Sequence, residues 1–174
     1  SFNLGEVCDA TSLYLKNGSI TVPELLEIMP APDFSTGGQL IYDKDKMADI
    51  YSTGVGTFRV RSKWRVDGNH IEVYEIPYTT TAEKIKDSIV KLVKEGKVKE
   101  ISDVRDEIGL NGLTLTIDIK RGAEPDKLMA KLCKSTPLED TFGCNFNILI
   151  GGMPRVMGVG EILEEWTAWR TDCV

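Results

Sequence analysis

Between His70 and Ile150 the hydrophobic period switches back and forth between two and about 3.6 residues, and that alternation limits the fold more than any other feature. Read in order, it predicts strand, helix, strand, strand, helix, strand. The clearest segment is Leu113, Leu115, Ile117 and Ile119 alternating with Thr114, Thr116, Asp118 and Lys120, the pattern of a half-buried strand. Before it, Val98 to Arg105 reads as a strand and Asn111-Gly112 as a turn. Ile85, Ile89, Leu92 and Val93 stripe an amphipathic helix, opened by a capping box at Thr80-x-x-Glu83 and closed by Gly96. Pro125 starts a second helix through Leu128, Met129 and Leu132, and Phe142 to Ile150 reads as a last strand ended by Gly151-Gly152. The order is that of a split βαβ unit. The expected fold class is therefore α+β, an antiparallel sheet with helices on one face, ferredoxin-like.

Short helices are expected ahead of this unit. Leu4, Val7, Cys8, Thr11 and Leu15 recur at helical spacing until Asn17-Gly18. Thr21-x-x-Glu24 opens a second helix through Leu25, Leu26 and Met29, which Pro30 to Asp33 stops. Lys46 to Tyr51 forms a further helical turn. From Thr57, Phe58, Val60 and Trp64 alternate with Arg59, Arg61, Lys63 and Arg65 along one strand. Asp67-Gly68 is the two-residue turn, with Asn69 to Pro77 returning. With Val66 opposite Asn69, Trp64 faces Ile71 and Lys63 faces Glu72. Glu161 to Val174 carries Ile162, Leu163, Trp166 and Trp169 on one side and meets no terminator, so it reads as the start of a longer helix. The organisation expected is 1–33 as a helical segment, 34–152 as the α+β domain and 153–174 as the root of a coiled-coil helix.

The chain has 174 residues, 41% hydrophobic and 28% charged, enough for one core or a core with an appendage. No apolar run approaches the roughly 20 residues that cross a bilayer, and the opening residues lack a secretory pattern, so no membrane partner and a cytoplasmic location are expected. Cys8, Cys133, Cys144 and Cys173 include no C-x-x-C pair, which argues against zinc and redox motifs. Cys8, Cys133 and Cys144 are expected as small core residues, and the lone His70 as a solvated side chain.

The formal net charge of −6 argues against nucleic acid unless the cations are clustered. They are: Arg59, Arg61, Lys63 and Arg65 on one strand face would form a row spaced about 6.6 Å apart, suited to successive phosphates. The competing reading is the solvated face of an edge strand, with Glu72 neutralising part of it. Gly54-Val55-Gly56 lacks the G-K-[ST] and helix of a P-loop and reads as a bend into the strand. Arg105-Asp106-Glu107 reads as an ion-pair loop. Lys120, Arg121 and Arg155 would extend a basic surface.

Several segments together resemble the A subunits of DNA gyrase and topoisomerase IV. They are Asn3-Leu4-x-Glu6-Val7, Pro32-Asp33-Phe34-x-Thr36-Gly37, Tyr51-x-Thr53-Gly54-x-Gly56, Glu75-Ile76-Pro77-Tyr78, Ile101 to Glu107, Asn145-Phe146-Asn147 and Met153 to Met157. The resemblance implies the DNA-flanking tower of such an enzyme, followed by the root of its coiled-coil arm. It implies double-stranded DNA as partner, a homodimer of A subunits, and two B subunits that bind ATP and carry the catalytic magnesium. The family's catalytic tyrosine, its neighbouring arginine and its DNA-wedging isoleucine would lie before Ser1, and none of Tyr14, Tyr42, Tyr51, Tyr74 and Tyr78 matches the nucleophile's context. No catalytic, cofactor-binding or metal-binding residue is therefore expected within the chain. The DNA-binding candidates are Arg59, Arg61, Lys63, Arg65, Lys120, Arg121 and Arg155. Val55 stands where the family commonly has a basic residue, and Ser35 where it has proline. Two alternatives are a ferredoxin-like nucleic-acid module, which needs stacking aromatics on its sheet face, and a non-enzymatic oligomerisation module using the terminal helix.

Overall fold

A computed structural model of the chain describes residues 1–110 and 112–174. Helix α1 (Leu4–Asn17) starts where the Asn3 side chain accepts from the Gly5 and Glu6 amides. It ends at Gly18, whose left-handed conformation lets its N–H reach the Tyr14 carbonyl at 2.7 Å. In α2 (Val22–Ile28) the Glu24 carboxylate accepts from the Thr21 amide at 2.8 Å and hydroxyl at 2.7 Å. Then follow β1 (Gln39–Ile41), α3 (Lys44–Thr53), β2 (Val55–Arg61), β3 (Lys63–Asp67) and β4 (His70–Glu75). The chain continues through α4 (Ala82–Lys94), β5 (Ile101–Gly109), β6 (Gly112–Ile119), α5 (Pro125–Ser135), β7 (Glu139–Asn145), β8 (Asn147–Ile150), β9 (Met153–Val156) and α6 (Val159–Cys173). The fold is α+β with antiparallel sheets.

The chain divides into two compact units, one of Ser1–Asp33, Tyr42–Phe58 and Phe142–Val174, the other of Phe34–Ile41 and Arg59–Thr141. The second holds a four-stranded sheet in the order β3-β4-β6-β5. Ile71 and Val73, Leu115, Ile117 and Ile119, and Ile101 and Val104 share its buried face, covered by Ile85 and Ile89 of α4 and by Leu128, Met129 and Leu132 of α5. Helices on one face of an antiparallel sheet is the layering expected. The strand order differs from a closed split βαβ unit. β3 takes the place beside β4, and β7 lies instead in a three-stranded sheet, order β1-β2-β7.

Four local expectations are corrected. The run from Thr57 is broken at Ser62, because Ser62 is buried and its amide and hydroxyl both donate to the Leu138 carbonyl at 2.8 Å. In the next hairpin the turn lies one residue further along than expected, so the cross-strand partners of Trp64, Arg65 and Val66 are shifted by two. Asp67 pairs with His70, Val66 with Ile71, Arg65 with Glu72 and Trp64 with Val73, so Gly68 and Asn69 form the turn. Helix α4 is capped by Thr81, whose side chain accepts from the Lys84 amide, not by Thr80. The strand expected from Phe142 to Ile150 is two, β7 and β8, and β8 pairs with β9. Asn111, half of the second expected turn, lies outside the described residues.

The first unit is mainly helical. Tyr51 of α3 is buried, and its hydroxyl donates to the Met29 carbonyl at 2.5 Å after α2. Phe2 meets Tyr51 and Phe146 edge-on, with ring centroids 5.8 and 5.7 Å away. Gly158 before α6 lies against the carbonyls that end α3. Cys144 is buried here, but Cys8, expected in the core, is exposed, because α1 buries fully only Ala10. On α6, Leu163 is buried while Trp166 and Trp169 are exposed. No helix among the described residues is long and apolar enough to cross a membrane.

Candidate nucleic-acid interface

The four clustered cations do not form one row. Arg59 and Arg61 lie on β2, opposite Ile41 and Gln39 of β1, and their alternation follows from the burial of Phe58 and Val60 on the other face. Lys63 and Arg65 lie on β3, after the Ser62 break, in the four-stranded sheet. Each has a carboxylate beside it. Lys63 is 3.1 Å from Glu75, and Arg65 pairs with its cross-strand neighbour Glu72, one cation to one anion.

The arginines are arranged differently. Both meet one carboxylate, Glu139 at the start of β7: Arg59 Nε lies 2.9 Å from Oε1, and Arg61 Nε donates to Oε2 at 2.7 Å. The Glu139 side chain is only 10% exposed, against 55% and 42% for the two arginines. Two cations around one anion leave an excess positive charge, which the one-to-one pairs of β3 lack. The pair borders a cleft of about 360 Å³, walled by Trp64 and by Asp126, Ala130, Cys133 and Lys134 of α5, so its charged lining is three cations against the two carboxylates of Glu139 and Asp126. Burial pushes the Cys133 thiol up from its ordinary value, so the thiolate is disfavoured there.

Of the other expected residues, Lys120 and Arg121 are exposed where β6 gives way to the turn before α5. Arg155 is exposed on β9, in the other unit. Arg105, Asp106 and Glu107 lie on β5 rather than in a loop. They do form ion pairs, Asp106 with Lys86 at 2.9 Å and Arg105 with Asp118 at 3.2 Å. The Lys86 contact holds the Asp106 carboxyl below its ordinary value, and Asp106 in turn raises the Lys86 ammonium. His70, expected simply as solvated, is half exposed with Nδ1 against Asp118. Among the described residues no three His, Cys, Asp or Glu side chains converge in a way that would hold a metal ion.

Gly54-Val55-Gly56 is the expected bend. Gly54 closes α3 in a left-handed conformation and donates to the Ile50 carbonyl, and a side chain at Gly56 would strike Ile50. Three charged residues of the arginine cleft, Asp126, Lys134 and Glu139, are not among those that sequence reasoning picks out. Lys134 is legible in principle, since Asp126, Ala130, Cys133 and Lys134 recur at one-face helical spacing. Glu139 is not, because its hydrogen-bonded partner Arg61 lies 78 residues away.

The family model for the A subunit of DNA gyrase/topoisomerase IV matches residues 1–174. Among curated proteins, the DNA gyrase A subunit of Halalkalibacterium halodurans is 37% identical over 169 residues, covering 95% of this chain and 20% of the relative. The chloroplastic/mitochondrial DNA gyrase A subunit of Arabidopsis thaliana is 37% identical over 179 residues, covering 99% and 19%. The DNA gyrase A subunit of Chlamydia muridarum is 34% identical over 178 residues, covering 99% and 21%. The chain thus spans about a fifth of the length of these relatives. With a match across the whole chain and relatives well above 30% identity, the chain belongs to the family of DNA gyrase/topoisomerase IV A subunits.

Proposed function

We propose that this chain is the DNA-supporting tower segment of the A subunit of a type II topoisomerase, an isomerase that passes one DNA duplex through a break in another. The family match over all 174 residues carries the reading. In the assembly proposed, two A subunits join two B subunits, which supply ATP hydrolysis and the catalytic magnesium. The tyrosine that attacks DNA belongs to another part of the A subunit. The chain's own task is electrostatic: its cations hold the phosphates of a duplex lying against it, and phosphate contacts position DNA without reading its sequence. The arginine pair on β2, with its uncompensated charge, supports that role despite the overall charge of −6. Tyr51 suits a structural role better than a nucleophilic one, since it is buried, its hydroxyl is engaged by Met29, and burial raises it well above the ordinary tyrosine range.

Fluorescence anisotropy with a labelled duplex, across salt concentrations, tests the proposal. Weak binding that falls with salt is expected, and it should disappear when Arg59, Arg61, Lys63 and Arg65 are all changed to Glu. Equal binding by both proteins would move the contact to Lys120, Arg121 or Arg155. In a plasmid assay the chain alone should relax nothing at any ATP or magnesium concentration; relaxation would refute the proposed division of labour.

A further inference from the structure

We propose that the Arg59–Arg61 cleft is a discrete phosphodiester-binding site, in which Glu139 positions the two guanidinium groups and Lys134 supplies a third cation, while Lys63 and Arg65 take no part. The inference rests on the DNA-supporting role above and narrows it to one site. The geometry of Glu139 is its basis. A carboxylate that is 10% exposed is costly to desolvate unless its oxygens are satisfied, and here each oxygen meets one arginine Nε. That contact fixes both side chains at their Nε atoms. Each guanidinium has more donors than one carboxylate oxygen can accept, so both keep N–H groups for a second anion. The two groups sit on alternate residues of β2, on the face that Phe58 and Val60 leave, so they act as a pair.

Lys134 borders the same cleft from α5 and has no ion pair among the described residues; Asp126, on the same helix, is the one carboxylate besides Glu139 in the lining, and the three cations still outnumber the two. Its ammonium and the two guanidinium groups can meet different oxygens of a tetrahedral phosphate, whereas a planar carboxylate ligand is satisfied by one fork. Trp64 forms part of the wall and gives the sugar of a nucleotide an apolar surface to lie against. A cleft of about 360 Å³ holds a phosphodiester with part of its flanking sugars. Lys63 and Arg65 offer the contrast, each matched by its own carboxylate on β4 and lying in a different sheet.

Heteronuclear NMR of the chain tests this by titration with a thymidine dinucleoside monophosphate, inorganic phosphate and a tetraglutamate peptide in turn. Saturable shifts of the Trp64 indole N–H and the Arg59 and Arg61 Nε–H signals with the dinucleotide are expected. Arg61→Gln should weaken that binding about tenfold and Lys134→Gln a few-fold, with a joint Lys63→Gln/Arg65→Gln variant within about twofold of the parent. Because Arg61→Gln leaves Glu139 short of a partner and could unfold the chain, the exposed Lys134 is the safer probe. Binding of inorganic phosphate but not the dinucleotide, equal binding of the peptide, or indifference to Lys134→Gln would each overturn the site. The duplex titration separates the two readings. If a duplex binds and Lys134→Gln changes nothing, the cleft is wrong and the tower role stands. If the dinucleotide binds but no duplex does, the cleft stands and the DNA-supporting role fails.

Discussion

At the scale of single residues, two glycines far apart in sequence hold the first unit together by close backbone approach. A side chain on Gly54 would overlap the Met157 carbonyl, and one on Gly158 would overlap the Ser52 and Tyr51 carbonyls. Neither obstacle is a flexible side-chain end, so the backbone itself would have to move. Gly54 also needs a positive φ of 78°. Gly54→Ala and Gly158→Ala should each cost more than about 1 kcal/mol in urea unfolding, with Gly54→Ala worse, while Gly143→Ala, with open space around it, should be near neutral. Equal stability of all three would show that these approaches do not hold the unit. Glu75 gives a pH-dependent counterpart in the second unit. Its carboxylate accepts from the Gly38 amide at 2.7 Å and lies 3.1 Å from Lys63, and the hydrogen bond from that amide, ahead of Lys63, holds the carboxyl below the ordinary glutamate range. A carboxyl depressed on folding stabilises at pH above its unfolded value, and the effect is lost as pH falls through the folded one. Glu75→Gln should therefore cost about 1 kcal/mol at neutral pH and progressively less in acid. A cost unchanged between neutral pH and pH 3 would mean that the charge is not what matters.

Elements whose ends are written in local chemistry were legible. Asn17-Gly18 stops α1, Thr21 and Glu24 open α2, and the alternation from Leu113 to Ile119 is β6. Elements decided by distant partners were not. The alternation from Phe58 to Arg65 runs through Ser62 without losing phase, so nothing local reveals that β2 and β3 belong to different sheets. The break is caused by the Leu138 carbonyl, 76 residues away, which receives both the Ser62 amide and its hydroxyl. The same limit hid the sharing of Glu139, and hence the fact that four apparently equivalent cations are two paired ones and two that divide a single anion. Register failed for a smaller reason, since Asp67-Gly68 and Gly68-Asn69 are both acceptable turns, and pairing with β6 beyond them decides. If Ser62 is what ends β2, Ser62→Ala should cost about 1 kcal/mol for the lost hydroxyl bond, and Ser62→Val more, because valine loses the same bond and adds a branched side chain to a buried site. Thermal unfolding gives the cost. Amide exchange at residue 62 unchanged in both variants would show that the backbone bond alone makes the break.

At the scale of the whole molecule, family membership was the most legible property, because its motifs are spread from Asn3 to Met157 and any one region could have diverged without hiding it. How many cations meet DNA was much less so, and the two views predict different salt behaviour. Seven candidates read from the sequence, all engaged, would give a slope in log affinity against log salt of roughly −6, at about −0.9 for each phosphate neutralised. Pairing lowers that figure. Lys63 and Arg65 already have carboxylate partners, so a phosphate that displaces Glu75 or Glu72 exchanges one anion for another with little net release of counterions. Arg59 and Arg61 share one anion and count as roughly one free charge, to which Lys134, which has no ion pair among the described residues, adds up to a second when a phosphate displaces the influence of the nearby Asp126. A molecule with a net charge of −6 also repels DNA at long range, so screening by salt offsets part of the loss in contact attraction. The expected slope for a duplex is therefore shallow, about −2, and Lys134→Gln should bring it nearer −1. A slope near −6 that Lys134→Gln leaves unchanged would mean that the ion pairs on β3 open when DNA arrives, and that the cations of both strands meet phosphates.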